Sequence, residues 1–242
     1  MNTNITTTDK VGDNAVLYFN TVPIVSSHQR SIADMCEGKR VLVIGCADMV
    51  DMIDIRAHIQ SGKHQFHNIS QTASYCVGVD INKAGVELLQ TMHYNAIHCD
   101  AFTEHHSVFD EEYDYCVLSH VIEHVMDLTG FINAIKQKVN AKAFIFAVPN
   151  AYNVKHAIPS LLLQREQVSN DHFYTFTPIT FVKLLEGLDF TLEALYFDKD
   201  STIALGKRHK LLGGLWSWIK SKWFKHSGDL VAIARLNTSP KR

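Results

Sequence analysis

Short apolar runs alternate along the chain with amphipathic segments of helical periodicity. The apolar runs predict strands over residues 40–45, 75–80, 95–99, 113–119, 142–148, 190–197 and 229–236. The amphipathic segments predict helices around 51–61 and over 83–92, 127–139 and 178–187. Continuous apolar runs are typical of strands buried on both faces, and their alternation with helices indicates a parallel sheet covered by helices. The pattern therefore predicts an α/β fold.

The segments outside this alternation are more polar. Residues 1–37 carry a mixed helical pattern, which predicts lead-in helices before the first strand. Residues 61–74 are rich in His, Gln, Asn and Ser, which predicts a surface excursion between the first two strands. A chain of 242 residues can bury a substantial core. We expect a single domain over residues 1–242.

The charge and the cysteines exclude some classes of function. The net charge is −2 at pH 7 and the isoelectric point is near 6.7, so we expect no nucleic-acid partner. The five cysteines lack C-x-x-C spacing, which favours buried reduced thiols. The first residues lack the apolar segment of a signal peptide, and no stretch reaches the roughly 18 apolar residues of a membrane span. We therefore expect a cytoplasmic protein.

Two neighbouring strands end in residues that suit a nucleotide-type ligand. The first apolar run ends abruptly at Gly45, and the second ends at Asp80. A glycine at this point lets the backbone approach a ligand at the carboxyl edge of the sheet, and an acid closing the next strand can accept both hydroxyls of a ribose. Taken singly, Gly45 could simply end a strand and Asp80 could cap the following helix.

Four segments in order, residues 41–47, 77–80, 99–102 and 113–125, resemble successive motifs of class I S-adenosylmethionine-dependent methyltransferases. The resemblance, which extends in part to ubiquinone-pathway O-methyltransferases, implies a Rossmann-like, doubly wound sheet of seven strands with an antiparallel last strand. It implies S-adenosylmethionine as the cofactor. The positions that match the cofactor-binding motifs are Gly45, Cys46, Ala47, Asp80, Ile81, Asp100, Ala101 and Ser119.

The first loop departs from the family pattern. Val43 stands where the family has an acid, and Ala47 and Met49 replace the second and third glycines. Alanine is tolerated if its φ angle is negative, and Asp48 or Asp51 could supply the missing acid. These departures motivate an alternative, a methyltransferase-shaped binding or scaffold protein without catalysis.

The segment His120-x-x-Glu123-His124 follows the fourth strand. On a helix, spacings of three and four residues place the three side chains on one face, where they could converge on one ion. As a bare pattern, H-x-x-E-H also fits an inverted zinc peptidase. A metal-dependent hydrolase is therefore a third candidate function. The structural alternative is that Glu123 and His124 only hydrogen-bond the backbone or support the sheet edge.

Methyltransferases that carry Glu-x-x-Glu-His here include ubiquinone-pathway enzymes and small-RNA 2′-O-methyltransferases. The resemblance implies a divalent ion near the acceptor hydroxyl, held by His120, Glu123, His124 and a later histidine, for which His172 is the candidate. Three imidazoles and one carboxylate suit zinc, iron or manganese better than magnesium. We also expect His120, with His124 and His172 as weaker candidates, to be the catalytic base, since an imidazole suits proton removal near neutral pH.

Two insertions, 150–176 and 199–228, are expected to shape the acceptor side, because connections are normally short. Within the second, residues 207–226 interleave cations with tryptophans. This segment could lie on an anionic membrane surface, pack as a lid helix, or stack on a sugar ring. We expect O-methylation of a small-molecule or glycan-type hydroxyl. The sequence does not indicate the oligomeric state.

Overall fold

The computed structural model describes residues 9–11, 13–47, 55–166, 168–199 and 228–237 of the chain. The strands are β1 (Asp9–Val11), β2 (Asn14–Val16), β3 (Ile24–Val25), β4 (Arg40–Ile44), β5 (Tyr75–Asp80), β6 (Ala96–His98), β7 (Glu112–Ser119), β8 (Asn140–Val148), β9 (Phe190–Asp198) and β10 (Leu230–Leu236). The helices are α1 (His28–Met35), α2 (Ile55–Gln60), α3 (Gln65–Thr72), α4 (Lys83–Thr91), α5 (Leu128–Lys138), α6 (Val154–Leu163) and α7 (Pro178–Gly187). The seven strands predicted from the apolar runs are all present.

The central sheet has the order β3-β9-β10-β8-β7-β4-β5-β6. Strands β4 to β8 pair in parallel, whereas β10 is antiparallel to both β8 and β9. This confirms the doubly wound α/β fold with an antiparallel last strand. The sheet has eight strands rather than seven. The additional strand, β3, is two residues long and pairs in parallel with β9.

Strand register decides which strand ends lie along the same edge of the sheet. Leu230 at the start of β10 pairs with both Val148 at the end of β8 and Phe197 near the end of β9. Ile44 near the end of β4 pairs with Val79 and Leu118. The start of β10 and the ends of β4, β5, β7, β8 and β9 therefore lie along one edge of the sheet.

The helices bury apolar side chains on both faces of the sheet. Helices α1, α3 and α4 contribute to one cluster, which includes Ile32, Ile69 and Leu89, each fully buried. Helices α5 and α7 contribute to the other, which includes Ile132 and Phe181. This two-layer burial is the packing expected of a doubly wound fold.

Two predictions about the polar segments were wrong. Residues 61–74 are not only a surface excursion, because they contain α3, which buries Phe66 and Ile69 against the sheet and packs on α1. The lead-in segment is not wholly helical, because the chain stays extended through Pro23 and β3 and the helix begins at His28. Backbone bonds fix that extended run, since Pro23 O accepts from Phe197 N at 3.0 Å. A two-residue strand is too short to leave a hydrophobic period.

All five cysteines are free, and burial raises the pKa of the Cys36 and Cys76 thiols to about 12. Four of the five cysteines are buried, as predicted, and Cys76 is partly exposed. Within the described ranges, no helix is long and apolar enough to cross a membrane. Residues 51–54 of the helix predicted around 51–61 lie outside the described residues, as does most of the insertion at 199–228.

Candidate functional site

The first loop bends at Gly45, whose φ angle is +76°. A Cβ atom there would also overlap the Cγ2 methyl of Val121, so both the conformation and the space require glycine. Ala47 is buried and is not among the described residues with positive φ, which meets the condition under which alanine can replace glycine. Met49, and the alternative acids Asp48 and Asp51, lie outside the described residues.

Asp80 braces this loop from the end of β5. Its Oδ2 accepts a hydrogen bond from Ala47 N at 2.8 Å, and its Oδ1 accepts one from Asn82 N at 2.8 Å. A carboxylate oxygen has more than one lone-pair site, so a hydrogen bond from a backbone N–H does not by itself prevent it from accepting a ribose hydroxyl. Beside it, Ile81 is 67% exposed and offers an apolar surface where an adenine could lie. The glycine bend, the carboxylate and the exposed apolar side chain fit an adenosyl group.

The other predicted cofactor residues differ in accessibility, since Asp100 and Ser119 are partly exposed. Asp100 caps its own turn, because its carboxylate accepts from Phe102 N at 2.9 Å and from Thr103 Oγ1 at 2.6 Å. Burial opposes the charged form, but these hydrogen bonds prevail and lower the pKa of Asp100. Cys46 and Ala101 are buried. Their contact with the cofactor, like that of Ser119 at the end of β7, stays a prediction.

His120 directly follows β7 and has a φ angle of +54°, which is uncommon for a residue with a side chain. Its backbone N donates to Ala147 O at 2.9 Å. Its Nδ1 is 3.1 Å from Glu123 Oε1, and its Nε2 is 3.5 Å from Asp229 Oδ2. Burial opposes the imidazolium, but the two carboxylates outweigh it and raise the pKa of His120 to about 10.

The helix that would place His120, Glu123 and His124 on one face does not form, and the four candidate ligands do not gather in one group, which corrects the four-ligand metal set. Only Ile122–His124 makes a short 3-10 turn, and His120 lies outside it. The ligand atoms of Glu123, His124 and His172 lie within 4.8 Å of one another, whereas His120 groups instead with His28 and Asp229. An inverted zinc peptidase needs both histidines on one ion. Their separation removes the observation that favoured a hydrolase.

The insertion at 150–176 folds back onto this segment. Phe173 N donates to Glu123 O at 2.8 Å, and Tyr174 Oη donates to Met126 O at 2.7 Å. Glu123 is fully buried, and its Oε2 has no hydrogen-bond partner among the described residues. Burial lowers the pKa of the neighbouring His172.

Three residues of the site were missed from the sequence, namely His28, Asp198 and Asp229. His28 is 6% exposed, and its Nδ1 lies 2.8 Å from Asp198 Oδ2 and 3.5 Å from Asp229 Oδ2. The rings of His28 and His120 are 4.9 Å apart between centroids. The sequence did carry one signal for the aspartates. Asp198 follows the predicted strand 190–197 and Asp229 begins the predicted strand 229–236, and an antiparallel pair of these strands brings both residues to the same edge of the sheet.

A cavity of about 910 Å³ lies beside these residues. His28, His120 and His172 line it together with Asp198 and Asp229. Most of the remaining lining is hydroxyl, amide or basic, and includes Ser26, Ser27, Gln29, Arg30, Lys63, Asn68, Gln71, Thr72, Asn153 and Lys199. Such a lining suits a polar ligand with several hydrogen-bonding groups.

A doubly wound sheet with a glycine bend and a ribose-type carboxylate at its carboxyl edge defines a nucleotide-binding α/β protein. The chain belongs to the methyltransferase-domain family Methyltransf_23, which matches residues 28–195. This family confirms the resemblance to class I methyltransferases and implies S-adenosylmethionine as the cofactor. No curated protein sequence matches the chain significantly.

Solved methyltransferase structures share the fold at low identity. A SAM-dependent methyltransferase from Archaeoglobus fulgidus has a TM-score of 0.51 and 18% identity, covering 86% of this chain and 90% of its own. Magnesium protoporphyrin IX methyltransferase from Synechocystis PCC 6803 has a TM-score of 0.50 and 12% identity, covering 87% and 83%. The small RNA methyltransferase HEN1 has a TM-score of 0.53 and 13% identity, covering 97% of this chain but 28% of its own. These likenesses concern the fold alone.

Proposed function

We propose that this S-adenosylmethionine-dependent methyltransferase acts on a hydroxyl group of a small-molecule or glycan-type acceptor. The observation that carries the proposal is the 910 Å³ cavity at the carboxyl edge, lined by hydroxyl, amide and basic side chains and three imidazoles. A polyhydroxylated acceptor matches that lining, because each of its hydroxyls needs a partner when it leaves water.

The cofactor would be held on the other side of His120, by the bend at Gly45, the Asp80 carboxylate and the exposed side chain of Ile81. S-adenosylmethionine supplies a methyl group that its sulfonium already activates. The protein therefore has to align the acceptor oxygen with that methyl group and keep water away. His120 lines the cavity, and the next residue, Val121, packs against Gly45.

His172 is the better placed proton acceptor. It lines the cavity, and burial lowers its pKa, so its imidazole is neutral at pH 7. His120 also lines the cavity, but Asp229 and Glu123 hold it as an imidazolium in the absence of any bound cation. A neutral imidazole can take a proton, whereas an imidazolium cannot. The directions of the two pKa shifts therefore favour His172 over His120 as the base.

A divalent ion is the alternative way to activate the hydroxyl. Glu123, His124 and His172 fit one, since their ligand atoms lie within 4.8 Å and the buried Glu123 Oε2 has no hydrogen-bond partner among the described residues. An ion there would lower the pKa of an acceptor hydroxyl. Turnover that survives chelation favours His172 as the base, and turnover that chelation abolishes favours the ion.

The proposal is tested with S-adenosylmethionine carrying a labelled methyl group and a panel of hydroxylated sugars and small molecules. We expect label in an O-methyl product, and no product when the reactive hydroxyl is replaced by hydrogen. Label only on nitrogen or carbon would refute the hydroxyl acceptor. Absence of saturable cofactor binding would favour the scaffold alternative. Peripheral membrane contact through residues 207–226, which lie outside the described residues, stays a prediction, as does the cytoplasmic location.

A further inference from the structure

Three side chains from distant parts of the sequence meet at the rim of the cavity. His28 begins α1, His120 follows β7, and Asp229 precedes β10. One potential ligand atom from each lies within 4.8 Å of the others. We propose that His28, His120 and Asp229 bind a divalent transition-metal ion of the zinc type. This site is separate from the group of Glu123, His124 and His172.

The spacing of the ligand atoms supports the proposal. Asp229 Oδ2 lies 3.5 Å from His28 Nδ1 and 3.5 Å from His120 Nε2. Ligand atoms bound tetrahedrally at 2.0–2.1 Å from zinc are about 3.4 Å apart. Both separations therefore match two edges of such a tetrahedron, whereas 3.5 Å is long for a direct N–H···O hydrogen bond.

Carboxylates outnumber imidazoles in this cluster. Asp198 lies beside His28, and Glu123 lies beside His120, so three carboxylates face two imidazoles. Asp198 is 9% exposed, and its Oδ1 has no hydrogen-bond partner among the described residues. His120 Nε2 is likewise buried without one. Polar atoms that are buried without a partner are costly, and in native sites they often mark a missing water or ion.

The environment of the His120 imidazole resembles that of a metal-ligating histidine. Such a histidine is usually oriented by a carboxylate on its other ring nitrogen. Glu123 Oε1 does this for His120, at 3.1 Å from Nδ1, and leaves Nε2 directed at Asp229. The proton that His28 Nδ1 now shares with Asp198 would be displaced by the ion, leaving the Asp198 carboxylate as a nearby counter-charge.

Two imidazoles and one carboxylate are a ligand set used by zinc and by iron(II), with open positions left for water or substrate. Because the site faces the cavity, an ion here would present an open position to the acceptor. That acceptor role depends on the proposed function, whereas metal binding itself does not. The test can therefore be made without S-adenosylmethionine or an acceptor.

The experiment titrates chelator-treated full-length protein with Co²⁺, followed by visible absorption, and then displaces Co²⁺ with Zn²⁺. The variants His28→Gln and Asp229→Asn remove one ligand each from the proposed site. His124→Gln is the matched control, because it removes an imidazole from the neighbouring group. Circular dichroism and thermal unfolding establish that each variant is folded.

We expect a saturable Co²⁺ site in the wild type whose affinity falls at least about tenfold in His28→Gln and Asp229→Asn. The same site should keep its affinity within about threefold in His124→Gln. The proposal is overturned if no saturable binding occurs, or if the folded His28→Gln variant binds as the wild type does. Loss of binding in His124→Gln alone would also overturn it, because the ion would then belong to the Glu123 group.

Discussion

Replacement of Asp80 by alanine separates a cofactor-binding carboxylate from a purely structural one. Asp80 accepts backbone hydrogen bonds from Ala47 and Asn82, each at 2.8 Å. If it also accepts the two ribose hydroxyls, Asp80→Ala removes two hydrogen bonds between the protein and the cofactor. Hydrogen bonds to charged groups contribute about 1.5–3 kcal/mol each. Taking the lower value twice gives about 3 kcal/mol, or roughly a 150-fold rise in Kd.

The same substitution also destabilises the fold, because it leaves the buried Ala47 N–H without its acceptor. That loss costs about 1–3 kcal/mol, so a control of similar structural cost is needed. Asp114 provides one at the opposite edge of the sheet. Its carboxylate accepts from Arg40 N at 2.9 Å and from Lys142 Nζ at 2.7 Å.

The assay is calorimetric titration with S-adenosylmethionine and with its demethylated product, on variants shown to be folded by thermal unfolding. We expect Asp80→Ala to weaken both ligands by about two orders of magnitude. Asp114→Ala should lower the free energy of unfolding and leave both affinities within about twofold of the wild type. Equal affinities in Asp80→Ala and the wild type would refute the assignment of Asp80 to the ribose.

Three further predictions follow from individual side chains. His120→Gly should be about 1 kcal/mol more stable than His120→Ala, because both lack the imidazole but only glycine adopts a φ of +54° without strain; equal midpoints of thermal unfolding would contradict this. His172→Gln should reduce turnover by about 10²–10⁴ while cofactor affinity is retained, and unchanged turnover would remove His172 as the base. Phe66→Ala should destabilise the fold by about 3–5 kcal/mol in denaturant titration, because Phe66 is 1% exposed; a loss below about 1 kcal/mol would show that α3 is peripheral to the core.

Seven of the ten described strands could be predicted because each is a short continuous apolar run, and their order followed from the family motifs. The position of Asp80 at the end of β5 could be predicted for the same reason, since it closes such a run. The extended path through Pro23 could not, because β3 is held by backbone bonds to β9 rather than by an apolar pattern of its own. Helix α3 was missed because only Phe66 and Ile69 carry its buried face, among polar neighbours.

The metal set was predicted incorrectly for a local reason. The spacing of His120, Glu123 and His124 places them on one face only if the backbone is helical throughout. Instead, the positive φ of His120 turns the chain before the 3-10 turn begins. As a result, its imidazole points toward α1 and β10 and lies beside His28 and Asp229. A sequence pattern carries no information about such a backbone reversal at a residue other than glycine.

The same reversal links the two halves of the site. The left-handed turn at His120 places the next residue, Val121, with its Cγ2 methyl in the space that a side chain at position 45 would occupy. The glycine bend that suits the cofactor and the imidazole that borders the acceptor cavity are therefore packed against one another through a single side chain. Because packed contacts of this kind resist displacement, the distance between the cofactor loop and the acceptor cavity is set by the fold itself. Under the proposed function, this contact would help to fix the distance between the methyl donor and the acceptor hydroxyl.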